Sequence, residues 1–212
     1  MRGEVVYITY DPFARSPLPA LLVLDLLISN NMKAIFTSYI YSEDEVLDSV
    51  AHALRENVGV SEEVALRLLN KYMVFNSLNP VGEALTSLAS RTITQIEKEK
   101  PDMIIFHGVE IFSKVSDRKD YWSALVNELI WTKNNGVTNI RFGSCTPREW
   151  CETSAAVSDI VIHVRLTDKN GSAVPVIYFW GRGFRPRTIE INEEVLTRLR
   201  SEFQGLVKKA LT

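Results

Sequence analysis

The most constraining feature of the sequence is an alternation of short apolar runs with longer segments of helical periodicity. Short continuous apolar runs are typical of strands buried on both faces, and helical crossovers between them join parallel strands. The predicted strands of this part of the chain are 5–8, 34–37, 73–75, 103–106 and 139–142. The chain is therefore expected to form a mostly parallel sheet covered by helices.

The segments between these runs predict helices. The first, 18–30, is apolar on most sides, so we expect it to be deeply buried. Ser42 and Glu45 have the spacing of a capping box, which predicts that a helix begins there. The other predicted helices begin at Ser61 or span 81–100, 121–133 and 193–211.

The pattern changes after Asp159. Apolar runs at 160–164, 174–179 and 188–191 are too close together for helices to lie between them. Asp168-Lys169-Asn170-Gly171 is typical of a hairpin turn. These strands are therefore expected to be antiparallel and to lie at the C-terminal edge of the sheet. The stretch before them, which contains Pro147, Trp150 and Cys151, is predicted to be irregular.

Composition agrees with one domain spanning 1–212. The 212 residues are 46% hydrophobic, enough for a sizeable core, and we find no internal repeat or linker. A net charge of −2 gives no global attraction to nucleic acid or anionic membranes, although a local basic patch remains open. No apolar run could span a bilayer, and the N-terminus does not resemble a signal peptide, so a cytoplasmic location is expected.

Two cysteines, Cys145 and Cys151, are too few for a disulfide scaffold. Their spacing differs from that of zinc and redox motifs. We interpret them as reduced thiols; the alternative is a disulfide of the kind found in the cytosol of thermophiles.

The turn between the first strand and the first helix has the length and position of a phosphate-binding P-loop, G-x-x-x-x-G-K-[ST]. Here it reads ITYDPFARSP. The residues of this degenerate nucleotide-binding position are Tyr10, Asp11, Pro12, Phe13, Ala14, Arg15, Ser16 and Pro17. The alternative is a generic turn that is unrelated to a P-loop.

The substitutions in this turn remove what a P-loop needs. Tyr10 and Arg15 stand where glycines would let the backbone curl around phosphate. Ser16 replaces the lysine that contacts the β- and γ-phosphates, and Pro17 replaces the hydroxyl that holds magnesium. Pro17 is still suited to begin a helix, so the architecture is expected to survive without the chemistry.

From Val5 to about Ile191, the chain resembles the KaiC-like and RadA-like branch of the RecA superfamily, which is widespread in archaea. The corresponding loop of that family often reads close to ITGDPGAGKT. The resemblance implies a RecA-like three-layer α/β/α sandwich, with a mostly parallel central sheet and antiparallel strands at its C-terminal edge.

The resemblance also places the other catalytic positions. The family's glutamate pair, which activates the attacking water, falls on Ile40 and Tyr41. Its Walker B strand falls on 100–106, and the magnesium-ordering aspartate is replaced by His107. Its Lys-x-Arg-Gly motif, which reaches the neighbouring subunit's ATP, falls on Trp180-Gly181-Arg182-Gly183, so the lysine is lost and Arg182 is kept.

These losses predict a pseudo-ATPase with no catalytic residue, no cofactor and no metal. Without the lysine, the carboxylates or the magnesium hydroxyl, charge that develops on the phosphates is not compensated. We therefore expect a structural or regulatory subunit that assembles with itself or with an active RecA/KaiC-like paralogue. Tyr10, Phe13 and Trp180 are aromatic residues of the kind that protein interfaces favour.

Alternative functions remain open. Arg182, Arg185 and Arg187, interleaved with Phe184, could contact phosphates and stack on bases, as in a nucleic-acid-binding recombination or repair accessory protein. ATP or another anion could bind without hydrolysis at the helix N-terminus near Arg15 and Ser16. For His107, a softer metal or proton transfer is the alternative to a structural role.

Overall fold

The apolar runs form the strands of one mixed sheet in the computed structural model of the chain, which describes residues 3–10, 18–78, 85–111, 117–144 and 148–211. Within these residues the strands are β1 (Val5–Tyr10), β2 (Ala34–Ser38), β3 (Met73–Ser77), β4 (Met103–His107), β5 (Thr138–Ser144), β6 (Ile160–Lys169), β7 (Ser172–Gly181) and β8 (Phe184–Glu190). Their order in the sheet is β3-β2-β4-β5-β1-β6-β7-β8.

The sheet is parallel from β3 to β6 and antiparallel from β6 to β8. This arrangement confirms the predicted α/β class with antiparallel strands at the C-terminal edge. The hairpin between β6 and β7 turns at Asn170 and Gly171, both of which have positive φ. β3 and β8 are the two edge strands of the sheet.

Helices cover both faces of the sheet. They are α1 (Leu18–Ser29), α2 (Glu43–Val58), α3 (Glu62–Tyr72), α4 (Leu85–Glu99), α5 (Arg118–Asn134), α6 (Arg148–Ala156) and α7 (Glu193–Leu211), with a 3₁₀ turn at Val109–Ile111. On one face, called the first face, Val6 and Ile8 share a core with α1, α2, α3 and α7. On the second face, Val5, Ile104 and Phe106 share a core with α4 and α5.

The ends of α2 follow the predicted local chemistry. The Ser42 side chain accepts a hydrogen bond from Glu45 N–H, and the Glu45 carboxylate accepts one from Ser42 N–H, which confirms the capping box. Gly59 ends the helix in the left-handed conformation, with φ of 75°. These caps satisfy backbone groups that helix ends otherwise leave unpaired.

Two expectations for the stretch after β5 are wrong. Residues Arg148–Ala156 form a helix, α6, instead of irregular structure, because Cys151 and Ala155 lie one turn apart and pack on Tyr7 and Val161 of the sheet. Cys151 is disulfide-bonded, so it is not a reduced thiol. The chain's other cysteine, Cys145, lies outside the described residues.

The remaining helix predictions hold to within a few residues. The start that was predicted for α4 at Val81 lies outside the described residues, and the described helix ends at Glu99. α1 is apolar on most sides as predicted and buries Leu24 and Leu27 almost completely. None of the described helices is long and apolar enough to cross a membrane.

Candidate functional site

The carboxyl ends of the parallel strands meet at one edge of the sheet. Ser38 of β2 lies beside His107 of β4, and Tyr10 of β1 lies beside Ser144 of β5. The chain leaves β1 for α1 on the first face, but leaves β4 and β5 for α5 and α6 on the second. Ligands of α/β proteins bind at such a topological switch point, so this carboxyl edge is the candidate site.

His107 lies at this edge as a neutral, partly buried side chain. Its ring is 6.0 Å from that of Phe36, and it stacks on Tyr41 at 5.5 Å with an interplanar angle of 20°. Burial lowers the pKa of His107 to about 4, so the imidazole is uncharged at neutral pH. Nδ1 has no hydrogen-bond partner among the described residues. A neutral imidazole among aromatic rings offers no oxygen ligand to magnesium.

Ile40 closes the same part of the edge. Gly108, which directly follows His107, has φ of 79°, and a Cβ there would overlap Cγ1 and Cδ1 of Ile40. Ser38 Oγ accepts hydrogen bonds from the N–H groups of Ile40 and Tyr41 at 3.4 and 3.0 Å, which fixes the turn after β2. An apolar side chain therefore fills the space beside His107, at the position where the resemblance places a glutamate.

The carboxylate of Glu110 also lies at the carboxyl edge and was not predicted from the sequence. Glu110 lies in the 3₁₀ turn after β4, and its Oε1 accepts a hydrogen bond from Ser144 N–H at 3.2 Å. A Cβ at Gly143 would lie only 2.8 Å from Oε2, so the glycine allows this approach. In the sequence, Glu110 is marked only as a single acid within an apolar run, Val109-Glu110-Ile111. Glu110 caps the end of β5 and does not contact His107 through any described hydrogen bond.

The degenerate loop is described only at its first residue. Tyr10 ends β1 and packs beside the buried Val164 and Ile177, on the side of the sheet that α7 covers. The other predicted residues of the nucleotide-binding position lie outside the described residues: Asp11, Pro12, Phe13, Ala14, Arg15, Ser16 and Pro17.

Trp180 and Arg182 lie at the opposite, amino edge of the sheet, because β7 runs antiparallel to β6 and ends beside Ile160. Arg182 Nη1 is 3.5 Å from Asp159 Oδ1, and Lys133 Nζ is 3.0 Å from Asp159 Oδ2. Oδ2 also accepts the Val5 N–H at 3.0 Å. Arg182 is thus tied to its own chain at the end of the sheet farthest from His107.

The predicted interface and nucleic-acid residues are divided between the two faces of the sheet. Trp180 lies opposite Val161, which faces α6 on the second face. Phe184 makes an edge-to-face contact with Phe179, which packs on the first-face core. Arg187 lies opposite Phe179 on that same face, and Arg185 is exposed in β8. The sheet therefore separates Trp180 from Phe184 and Arg187.

A buried ion pair, Arg141 with Glu128, lies between β5 and α5 and was not predicted from the sequence. Arg141 Nη2 is 2.6 Å from Glu128 Oε1, which also accepts a hydrogen bond from Asn139 at 2.8 Å. The guanidinium carbon lies 5.3 Å from the centre of the Phe106 ring. Desolvation lowers the pKa of Arg141, but the nearby carboxylate of Glu128 raises it by more, so the guanidinium stays charged. This pair holds α5 on the sheet.

No group of three or more His, Cys, Asp or Glu side chains that could hold a metal ion occurs in the part of the chain that the structure describes. The chain matches no protein-family model, and no curated protein sequence matches it.

Proposed function

We propose that the chain is a non-catalytic paralogue of RecA/KaiC-like ATPases, which acts as a structural or regulatory subunit by protein–protein assembly. One observation carries the proposal: Ile40 packs on Gly108 beside the neutral ring of His107. The resemblance places the water-activating glutamate at Ile40 and the magnesium-ordering aspartate at His107. An apolar side chain and an uncharged imidazole supply neither.

The same edge offers a surface for assembly. Ile40 and Tyr41 are 44% and 41% exposed, although they follow a buried strand. Large apolar side chains at the edge where RecA-like ATPases join their subunits are suited to a contact that needs no nucleotide. Burial of an isoleucine side chain contributes about 1.5 to 3 kcal/mol, so this contact can contribute substantially to assembly.

Light scattering coupled to size-exclusion chromatography, without nucleotide, tests assembly. We expect the wild-type chain to form an oligomer, alone or with an active RecA/KaiC-like paralogue. A variant carrying Ile40→Ser and Tyr41→Ser should dissociate at concentrations about tenfold higher than the wild type or more, because two apolar contacts are lost.

Ile130→Ser is the matched control, because Ile130 is 53% exposed on α5, away from the carboxyl edge. It should leave the mass of the oligomer unchanged. A wild-type chain that stays monomeric and ignores active paralogues would overturn the assembly function.

Binding of ATP without hydrolysis is the remaining alternative at this edge. Calorimetry with ATP and magnesium distinguishes it from a chain that ignores nucleotides. Whether or not ATP binds, we expect no hydrolysis of it. Measurable hydrolysis that is lost in Arg15→Ala would contradict the non-catalytic proposal, because it would show that the loop still engages phosphate.

A further inference from the structure

Over most of β6, β7 and β8, none of the described helices covers the second face of the sheet. On the first face, Val164 and Ile177 are buried with Leu196 and Leu199 of α7. On the second, α6 reaches Val161, but the described helices do not extend over the strands beyond it. We call the side chains of this region the open face: His163 and Arg165 of β6, Val176, Tyr178 and Trp180 of β7, and Thr188 and Glu190 of β8. Of these, Val176 is buried among its neighbours.

The open face presents flat aromatic and guanidinium groups side by side. The guanidinium carbon of Arg165 lies 5.7 Å from the centre of the Tyr178 ring, and the His163 ring lies 6.2 Å from it. Trp180 is 37% exposed on the same face, two residues along β7. From Trp180 to Arg165 the platform spans four strand positions, about 13 Å at the usual rise per residue.

The platform carries positive charge of its own. Arg165 lies on it and Arg185 is exposed in the neighbouring strand β8, whereas Arg187 lies on the first face and Arg182 is paired with Asp159. Arg185 and Arg187 form no ion pair with any described residue. The nearest acid of β8, Glu190, is neutralised by Lys169 at 2.6 Å. The region is therefore locally basic, although the whole chain carries a net charge of −2.

We propose that the open face binds single-stranded RNA, with bases stacked on Trp180 and on the Arg165–Tyr178 pair and phosphates held by Arg165 and Arg185. Exposed aromatic side chains on an uncovered antiparallel sheet stack about two or three unpaired bases in this way. A duplex hides its bases from such a platform, so the occupant must be single-stranded.

The hydroxyl groups of the open face favour RNA over DNA. Tyr178 and Thr188 lie opposite each other on β7 and β8 and project from the same face. Their hydroxyl groups can exchange hydrogen bonds with a ribose 2′-hydroxyl, which DNA lacks. This inference is independent of assembly, because the open face and the Ile40–Tyr41 surface lie on different strands at different ends of the sheet.

Fluorescence anisotropy with a labelled short oligouridylate tests the proposal. We expect wild-type binding that weakens as salt is added, with a slope of about −0.7 in the logarithm of the binding constant per phosphate contacted. Trp180→Ala should weaken binding about tenfold through the loss of stacking, and Trp180→Phe should restore most of it. Arg165→Ala should weaken binding and reduce the salt slope by about 0.7.

Phe184→Ala is the matched control, because Phe184 is an exposed aromatic residue that contacts the other face. It should bind oligouridylate like the wild type. Circular dichroism spectra of all variants check that each is folded. The variant with Ile40→Ser and Tyr41→Ser should also keep its RNA affinity, so failure of assembly and failure of RNA binding are separate results.

Several outcomes would overturn the proposal. Absence of binding, equal binding by Trp180→Ala, or equal affinity for duplex RNA would remove the stacking platform. Equal or tighter binding of oligothymidylate would overturn the assignment to RNA. A change in oligomeric mass on Trp180→Ala, with no RNA binding by the wild type, would instead make this face a protein interface.

Discussion

At the scale of single residues, the carboxyl edge depends on how His107, Gly108 and Ile40 fit together. Only a glycine can follow His107 here, because φ is positive and Ile40 occupies the space of a Cβ. The rings of Phe36 and Tyr41 pack beside His107, and burial of the imidazole keeps it neutral. The histidine is thus a member of an apolar cluster, although it stands at a catalytic position of the resemblance.

The neutral state of His107 predicts a pH-dependent stability. Its pKa is about 4 in the folded chain and near 6.5 in the unfolded chain, so only the unfolded chain gains this proton between those values. The free energy of unfolding should therefore be highest above pH 6.5 and fall by up to about 1.4 kcal/mol per pH unit toward pH 4. Urea unfolding followed by circular dichroism at several pH values measures this slope.

His107→Gln should flatten the slope because glutamine does not titrate. His52→Gln is the control, since His52 is exposed on α2. Equal slopes for His107→Gln and the wild type would contradict the burial of a neutral imidazole.

Sequence reasoning identified several of these positions but not their environment. It located Ile40, Tyr41 and His107 by order along the chain, and the sheet brings all three together. It did not find Glu110, because a lone acid in an apolar run carries no periodic signal. The stacking of Tyr41 on His107 depends on the turn after β2, which only the folded backbone defines.

At the scale of elements, the buried Arg141–Glu128 pair joins α5 to the centre of the sheet. The attraction between two buried charges offsets the free-energy cost of removing them from water only if both are present and hydrogen-bonded. Asn139 donates a further hydrogen bond to Glu128 and the Tyr121 hydroxyl accepts one from Arg141, while Nε of Arg141 has no partner among the described residues. The attachment of α5 therefore depends on both members of the pair.

Glu128→Gln should be strongly destabilising. It leaves the buried guanidinium without a counter-charge, which costs about 3 to 5 kcal/mol. Urea unfolding at pH 7 measures the loss. A double variant, Glu128→Leu with Arg141→Met, should recover more than half of it because no buried charge remains.

The exposed ion pair between Lys169 and Glu190 supplies the control. Glu190→Gln should change the free energy of unfolding by less than about 1 kcal/mol, because water screens this pair. A cost for Glu128→Gln as small as that of Glu190→Gln would show that α5 does not depend on the buried pair.

Most elements could be predicted from the sequence because their signals are local. The capping box of α2 and the hairpin at Asn170 and Gly171 depend on neighbouring residues only. α6 was missed because it is short, spanning Arg148–Ala156, and is fixed by its contacts with β1 and β6. Strand order was not predicted, since it depends on contacts between residues far apart in the sequence.

At the scale of the whole molecule, Asp159 connects four parts of the chain at the amino edge of the sheet. It lies at the start of β6 and contacts the start of β1, the end of α5 and the turn after β7. Desolvation raises the pKa of Asp159, but the Val5 N–H and the Lys133 ammonium outweigh it and lower the pKa overall. The ionised carboxylate therefore favours the assembled sheet.

Asp159→Asn should destabilise the protein by about 1 kcal/mol at pH 7, because the amide can still accept from Val5 but loses its charge. Since the folded pKa lies below 3.8, the wild type should hold this advantage at neutral pH and lose it as the pH falls through the folded pKa. Thermal unfolding of both proteins across this range measures the difference. Asp168→Asn, in the exposed hairpin turn, should have almost no effect, and an equal effect would refute the role of Asp159.

The two edge strands have a consequence for the behaviour of the chain in concentrated solution. β8 carries Arg185, Pro186 and Arg187, and a proline has no N–H with which to extend a sheet. β3, with the sequence MVFNS, has neither a charge nor a proline, and Val74 is 38% exposed. Fibrous aggregation by strand addition is therefore expected to start at β3, and Val74→Lys is the change that should suppress it.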